Sequence, residues 1–369
     1  MKLGIVIRHC LKHRSSNFLL ELLPYLTKYH DVHIFTGEWD EINNKKVTFH
    51  KIPVFFSNFF LQEILFSITS TIMMKFHSFD LTWTQPTRYL SPDIAHLEFC
   101  YKGWADYKKR IGLPLNIQDI FSPIIEKYNL NKAKHIIATS IGIKREIMKY
   151  YKIPSKKISL IPNGVNVEKF KPDKKKRVNF RKKLRINQKD IVLLFVGRNL
   201  KRKGLEYAIK ALHTIKGDNI KLLICGGDDE YHRSLVDKLN ENKRVMFMGD
   251  VKNADEYYKM ADIFVFPTFY EGFSFATLEA ASSGLPIIAT KANGTEDLIE
   301  NGKNGFLLKT RSPKEISKKM NLLIKNTNLR KEMGRKARKT VIKKFSWEII
   351  ATQILEVFKK TNEKYFQSI

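Results

Sequence analysis

The stretch DIVLLFVGRNLKRKGLEYAIKALHTI, Asp190 to Ile215, opens with an unbroken apolar run, reaches a glycine and resumes with helical spacing. A run without polar alternation is the mark of a strand covered on both faces of a parallel sheet. GLEYAIKALHTI then reads as an amphipathic helix returning across that sheet. Downstream the unit recurs: strand KLLICGG, helix RSLVDKLN, strand RVMFMG, helix ADEYYKMA, strand IFVFP, helix FATLEAASS, strand PIIAT.

Upstream the same alternation is present. LGIVIR, DVHIFTG, VTFHKIPV, FDLTWTQ, DIAHLEF, HIIATS and KISLIPNG read as strands. NFLLELLPYLTKY, Val54–Met74, IQDIFSPIIEKYNLNKA and GIKREIMKYY read as helices. Strict βα alternation with short connections predicts an α/β chain of doubly wound parallel sheets with right-handed crossovers. Each half restarts the pattern, and the basic interval KFKPDKKKRVNFRKKLR (Lys169–Arg185) falls between them. The 369 residues suit two domains.

The chain carries 66 Lys and Arg against 37 Asp and Glu, a formal charge of +29, which suits an anionic partner: nucleic acid, an acidic membrane surface or a phosphorylated substrate. The lysines are spread along the chain, so a compositional bias decorating solvated helices accounts for the charge equally well. Cys10, Cys100 and Cys225 are odd in number and far apart, which disfavours a disulfide framework or a zinc site. The apolar run in MKLGIVIRH is too short for a signal-peptide core and reads as a first strand. Asn58, Gln62 and Glu63 interrupt the one membrane-span candidate, Val54–Met74, which is expected to be a buried amphipathic helix. The expected location is cytoplasmic, with peripheral association at the inner membrane face.

Ligands of open α/β sheets sit beyond the carboxyl ends of the strands. Three sets of residues fall there. In VGRNLKRKG, Arg198 and Lys203 flank the loop after Gly197, and Gly204 opens the next helix. Two cations beside a helix N-terminus favour a phosphate or diphosphate, whereas Lys201 and Arg202 read as solvated. GxxxxGK[ST] is absent, which disfavours P-loop hydrolysis. In CGGDDE, the Gly226–Gly227 pair permits close approach of a planar ring or merely makes a tight turn. In EGFSFATLE, Gly272 relieves the turn, Ser274 is placed to cap the helix, and Glu271 and Glu279 are expected about 10 Å apart at ~1.5 Å of helix rise per residue. That spacing suits a ligand with two hydroxyl-bearing ends and anionic groups between them, the layout of a nucleotide sugar; carboxylates accept from sugar hydroxyls.

EGFSFATLEAASSGLPIIAT resembles the E-x7-E region of the retaining GT-B glycosyltransferases, the large family 4 or group 1 type. IPNGVNVEKF (Ile161–Phe170), VGRNLKRKG, ANGTEDLIENGKNGFLL (Ala292–Leu308) and FSWEIIATQIL (Phe345–Leu355) resemble further segments of that family in the same order. The resemblance implies a GT-B fold, two Rossmann-like domains facing across a cleft: 1–165 for the acceptor, 166–345 for the nucleotide sugar, and 346–369 as a terminal helix packing back on the first. It implies a retaining hexosyltransferase moving a sugar from a UDP- or GDP-linked donor to a glycan or glycolipid in cell-surface polysaccharide or lipopolysaccharide-type synthesis. Arg198 and Lys203 would stabilise the departing diphosphate, Glu271 would hold the donor sugar and Glu279 the ribose. Gly197, Gly226 and the backbone of Gly272, Phe273, Ser274 and Phe275 would line the donor. The family generally works without a bound metal, so no cofactor is expected.

Two departures stand out. The family's Gly-Gly loop after the first strand is replaced by RHCLKHRSSN, where Ser15 and Ser16 take the glycine places and His13 and Arg14 offer side-chain donors. DIAHLEF gives His96 then Glu98, and Glu98 with Cys100 and Tyr101 is similar to some lipopolysaccharide-core glucosyltransferases. Glu98 is thus a catalytic candidate, and His96 either an acceptor-side residue or a packed core histidine. The Trp104–Arg110 segment would meet an anionic lipid or phosphorylated glycan, or be an ordinary solvated helix. Two alternatives remain: a nucleic-acid-binding α/β protein, for which no recognition motif is present, and a GT-B sugar-nucleotide epimerase, against which IPNGVNVEKF and E-x7-E argue.

Overall fold

Short apolar runs form two separate parallel sheets in the computed structural model, which describes residues 1–11, 17–40, 44–53, 59–85 and 87–362. One compact unit comprises Met1–Asn163 together with the chain from Trp347 onward; the other is Gly164–Ser346.

The first unit runs β1 (Lys2–Val6), β2 (His9–Cys10), α1 (Asn17–Leu26), β3 (Asp31–Thr36), β4 (Glu38–Trp39), β5 (Val47–Lys51) and α2 (Phe59–Lys75). It continues with β6 (Leu81–Thr84), β7 (Ile94–Leu97), α3 (Tyr101–Arg110), α4 (Ile117–Lys132), β8 (His135–Ala138), α5 (Ile141–Tyr151) and β9 (Ile158–Leu160). Its main sheet has the order β5-β3-β1-β6-β7-β8-β9, and β2 pairs with β4 beside it. Strand order reverses between β1 and β6, so the ends of those two strands frame the switch point where such sheets take ligands.

The second unit holds α6 (Lys174–Lys183), β10 (Ile191–Val196), α7 (Leu200–Lys203), α8 (Leu205–His213), β11 (Ile220–Cys225), α9 (Glu230–Lys238), β12 (Val245–Gly249) and α10 (Ala254–Met260). It closes with β13 (Ile263–Phe266), α11 (Phe275–Ser282), β14 (Ile287–Thr290), α12 (Thr295–Leu298), β15 (Gly305–Leu308), α13 (Pro313–Lys325) and α14 (Thr327–Lys344). α15 (Trp347–Thr361) returns to the first unit and packs on α1. The second sheet has the order β12-β11-β10-β13-β14-β15, with its own reversal between β10 and β13. Val192, Leu193, Leu194 and Phe195 are wholly buried, as an unbroken apolar strand between two helix layers requires.

Two features stand out. The basic interval Lys169–Arg185, read as falling between the two repeats, carries α6, which belongs to the second unit and anchors it. Arg177 and Arg181 each reach Asp262 at 2.7 Å, and Arg181, wholly buried, also donates to the Met260 carbonyl. The second is α2, which does not simply bury its apolar side. Glu63, Ser67 and Ser70 point inward with Phe66 and Met74, while Leu65, Ile68 and Ile72 face outward. The cause is ionic: Arg8, just after β1, and Arg88, just after β6, both pair with Glu63. Among the described residues no helix is long and apolar enough to cross a membrane.

Candidate functional site

The reversal in the second sheet brings the loops after β10 and β13 side by side. Asn199 caps α7, accepting from the Arg202 N–H at 3.0 Å, and α7 runs only to Lys203. Gly204 ends it at φ +76°, where a Cβ would lie 2.2 Å from the Pro267 carbonyl oxygen. The Arg202 carbonyl then accepts from the Phe269 N–H at 2.9 Å, fastening α7 to the loop after β13.

Two of the three cations of that turn reach one carboxylate. Lys203 Nζ lies 2.9 Å and Arg202 Nη1 3.0 Å from Glu271 Oε1, and Thr268 Oγ1 donates to the same oxygen at 3.0 Å. Arg202 also donates to the Tyr270 carbonyl. Glu271 is buried, 7% exposed. Burial pushes its carboxyl upward, but the Lys203 and Arg202 charges and the Lys203 and Thr268 hydrogen bonds outweigh it and hold the carboxyl below its usual range. Burial pushes the Lys203 ammonium below its ordinary value, against the pull of Glu271. Lys203 Nζ sits 4.7 Å over the Phe266 ring. Its stem crosses Gly197 so closely that a Cβ there would be 2.1 Å from Lys203 Cδ. The cluster has two cations and one anion, hence a surplus positive charge at the sheet's carboxyl edge.

α11 begins beside it. Ser274 is the N-cap residue, but its side chain makes no capping bond; contrary to the sequence reading, it is Thr277 that donates, to the Ser274 carbonyl, at 2.7 Å. α11 also has no acid in its first turn, so its leading N–H groups keep their partial positive charge for an incoming anion. Asn293 donates to the Glu271 carbonyl and the Gly294 N–H to the Gly272 carbonyl, both at 2.9 Å, fixing the turn before the helix. Phe273 packs inward against Phe345, so it offers this turn backbone only, while Phe275 at the helix start is half-buried. Glu279, half-buried on α11, lies beside Tyr258, whose phenol burial and the Glu279 charge hold well above its ordinary value.

The remaining second-unit candidates are placed differently. Arg198 is exposed and pairs with Asp250 at 3.2 Å. Arg202, read from the sequence as solvated, occupies the place beside Lys203. Successive residues of a helical turn lie only ~100° apart, so both side chains of α7 reach one carboxylate; in an extended loop they would point apart. Gly226, at φ +96°, backs onto Gly197, where a Cβ would lie 3.3 Å from its backbone.

In the first unit, His96 is a core residue. It stacks on Trp83 at 5.6 Å and meets Phe18 edge-on at 5.5 Å, and burial pushes its imidazole down to about 3. Glu98 follows at the end of β7, and burial raises its carboxyl to about 8; its Oε1 has no hydrogen-bond partner. At the switch point, Arg8 and Arg88 hold Glu63, with Thr87 Oγ1 at 3.4 Å from it. This pair was missed because neither arginine belongs to a recognisable motif, although each lies within four residues of a strand's end. Arg14, Ser15 and Ser16, like His13, lie outside the described residues. Among the described residues, no group of three or more His, Cys, Asp or Glu is placed to hold a metal ion.

The pattern described as glycosyl transferases group 1 matches residues 176–340, and that described as glycosyltransferase family 4 matches 15–169. The chain belongs to the group 1 glycosyltransferases. It is 32% identical over 245 residues to the capsular polysaccharide biosynthesis glycosyltransferase CapM of Staphylococcus aureus, a match covering 64% of each chain. The match spans about three fifths of the length of the first curated relatives. WaaG, a glycosyltransferase involved in lipopolysaccharide biosynthesis, superposes with a TM-score of 0.83 at 17% identity, over 95% of this chain and 98% of that one. Anabaena HepE in complex with UDP-glucose superposes with a TM-score of 0.79 at 17% identity, over 98% and 100%. These likenesses establish the GT-B fold for this group 1 chain.

Proposed function

We propose that this group 1 glycosyltransferase moves a hexose from a nucleoside-diphosphate sugar to a hydroxyl of a glycan or glycolipid in surface-polysaccharide synthesis, with retention at the anomeric carbon. The observation that carries the reading is the buried Lys203–Arg202–Glu271 cluster beside the uncapped start of α11. Surplus positive charge and the partial positive charge of a helix N-terminus suit a diphosphate. The capsule enzyme among the relatives and the UDP-glucose complex among the fold neighbours support the same class of donor and product.

In this reading Lys203 stabilises the charge that grows on the leaving diphosphate, with Arg202 fixing its position through Glu271. Arg198 is recruited from its exposed pair with Asp250; such a surface pair is worth at most ~1 kcal/mol, so a phosphate displaces it readily. Glu271 accepts from hydroxyls of the sugar and Glu279 from those of the ribose. The acceptor binds the first unit, where protonated Glu98 offers a hydrogen bond and the Arg8–Arg88 pair a positive field. The three free, buried cysteines suit the reducing cytoplasm, where nucleotide sugars are made.

The test is incubation with a panel of UDP- and GDP-sugars and glycan or lipid-linked acceptors, with and without EDTA. Release of nucleoside diphosphate and a product keeping the donor's anomeric configuration are expected. Failure to release diphosphate from any donor, or an inverted product, would sink the reading; loss of turnover in EDTA would sink its metal-free form.

A further inference from the structure

α4 is built inside out. Ile117, Ile120, Ile124 and Tyr128 are all more than half exposed, while its buried side carries Asp119, Ser122, Glu126 and Asn129. A surface helix normally shows the reverse. Lys108 accounts for Asp119, pairing with it at 2.6 Å. Glu126 and Asn129 are wholly buried and one turn apart, and each reaches a loop at the carboxyl end of the first sheet. Asn129 donates to the Tyr89 carbonyl, directly after Arg88 in the loop that follows β6. Glu126 meets the start of α3, which follows β7.

The first N–H groups of a helix have no partner within it. In α3 the first three are taken up by other elements. Glu126 Oε2 accepts from the Tyr101 N–H at 3.0 Å and from the Tyr151 hydroxyl, whose oxygen in turn accepts from the Lys102 N–H at 3.3 Å. Cys100 Sγ accepts from the Gly103 N–H at 3.4 Å. On the other side of Glu98, the Thr139 N–H and hydroxyl both donate to the Leu97 carbonyl at 3.1 Å. Only Glu98 and Phe99 separate these two fastenings, so the backbone that carries the Glu98 side chain is held from both ends. A buried carboxyl is an expensive way to finish a helix, and Glu126 Oε1 has no hydrogen-bond partner. Serine or asparagine in place of Cys100 would cap α3 locally at no such cost, so the distant partner points to placement of the chain rather than to helix stability.

We propose that Glu126 is a positioning residue for sugar transfer: by holding the first turn of α3 it sets where Glu98 stands toward the acceptor. Tyr151 is its relay, extending one carboxyl to a second N–H. This role rests on Glu98 facing the acceptor, as proposed above. Burial raises the Glu126 carboxyl to about 8, so at neutral pH an uncharged acid holds the turn, through its oxygen rather than its charge. Asn129 fastens the loop of Arg88 from the same helix, so α4 registers both acceptor-side loops against each other. None of those three N–H groups of α3 is left for an anion, in contrast to α11, whose start has no side-chain cap.

The test compares Glu126→Gln, Glu126→Met and Tyr151→Phe in the full chain, using the donor that releases diphosphate in the panel above, with and without an octyl glycoside as acceptor. Glu126→Gln keeps an oxygen for both donors and should transfer within a few-fold of wild type. Glu126→Met and Tyr151→Phe should each lower kcat for transfer ~10–100-fold, the cost of misplacing a group by about 1 Å, with donor KM and acceptor-free hydrolysis unchanged. In a Glu98→Gln background the methionine change should cost almost nothing more. Tyr151→Phe deletes a single oxygen and carries the test if Glu126→Met fails to fold, which circular dichroism checks. A second readout needs no acceptor. In NMR of a chain with isotope-labelled glutamate, the Glu98 carboxyl, identified by its loss in Glu98→Gln, should titrate well below its buried value of about 8 once the turn is loosened. A Glu98 titration unmoved in both Glu126→Met and Tyr151→Phe overturns the proposal. So does a loss that falls equally on transfer and hydrolysis, or one that adds in full to that of Glu98→Gln. If no donor of the panel is used, the functional reading falls, while the titration still decides whether Glu126 places Glu98.

Discussion

Replacing Lys203 with methionine keeps the stem over Gly197 and Phe266 and deletes only the charge. At 2.9 Å and an effective dielectric of ~20, its attraction to Glu271 is about 6 kcal/mol before the cost of dehydrating both ions. Breaking a buried pair typically costs ~3–5 kcal/mol, but Arg202 and Thr268 remain on the same Glu271 oxygen. A net loss of about 2–3 kcal/mol in unfolding free energy follows. Loss of one preorganised group facing a developing charge lowers turnover ~10²–10³-fold. The two effects separate in the double variant Lys203→Met with Glu271→Gln. Urea unfolding of that variant should recover part of the lost stability, since the carboxylate left short of a partner is gone. Diphosphate release should not recover. Turnover of Lys203→Met within a few-fold of wild type refutes the leaving-group role, and so does turnover restored in the double variant, which would leave Lys203 only the task of neutralising Glu271.

Three further outcomes follow from the same geometry. Gly197→Ala places a methyl 2.1 Å from Lys203 Cδ, so turnover should fall nearly as far as in Lys203→Met, as steady-state kinetics would show. Arg198→Ala should leave the melting temperature unchanged, its exposed pair being worth at most ~1 kcal/mol, yet slow diphosphate release at saturating donor; unaltered kinetics would remove Arg198 from the site. Burial raises the Glu98 carboxyl from 4.5 to about 8, so between those values the folded chain holds a proton that the unfolded chain has lost. That stabilisation is complete below pH 4.5 and drains away by about pH 8, at up to ~1.4 kcal/mol per pH unit. Glu126, also raised to about 8 by burial, acts in the same sense. Glu98→Gln should flatten the fall in unfolding free energy from pH 6 to 8, and an unchanged slope would contradict the buried, protonated carboxyl.

How much of this was legible in the sequence depends on what each residue's role required. Strands such as Ile191–Val196 were plain, because a parallel strand covered on both faces admits no polar residue and so announces itself. Lys203 and Glu271 were legible as candidates because each follows a buried strand within a few residues. Arg202 was not: its role depends on α7 being a turn of helix rather than a loop, and four residues carry no readable period. The helices α2 and α4 were legible as helices, but their rotation was not, and α2 in particular does not bury its apolar side as expected. Periodicity gives the angle between polar and apolar sides, and the rule that apolar means inward supplies the rest. Here Glu63 is drawn in by Arg8 and Arg88, and Asp119 by Lys108, partners distant in sequence that no local pattern discloses.

The same dependence on distant partners explains why a carboxylate sits in a site read as anion-binding. Two cations left without a counter-ion there would repel each other, and the lysine would shed its proton or both would turn to solvent. Glu271 holds both within 3.0 Å before any ligand arrives, and Thr268 steadies the oxygen that does so. A diphosphate at the start of α11 then meets charges already in place, so little of its binding energy is lost to reorganisation, which is the condition under which electrostatic stabilisation of a leaving group is strongest. On this view Glu271→Ala should do more harm than removing any sugar contact alone would suggest. Donor binding should weaken and turnover fall together, because the cations lose their positions. A change confined to the preference among donor sugars would show instead that Glu271 touches only the hexose.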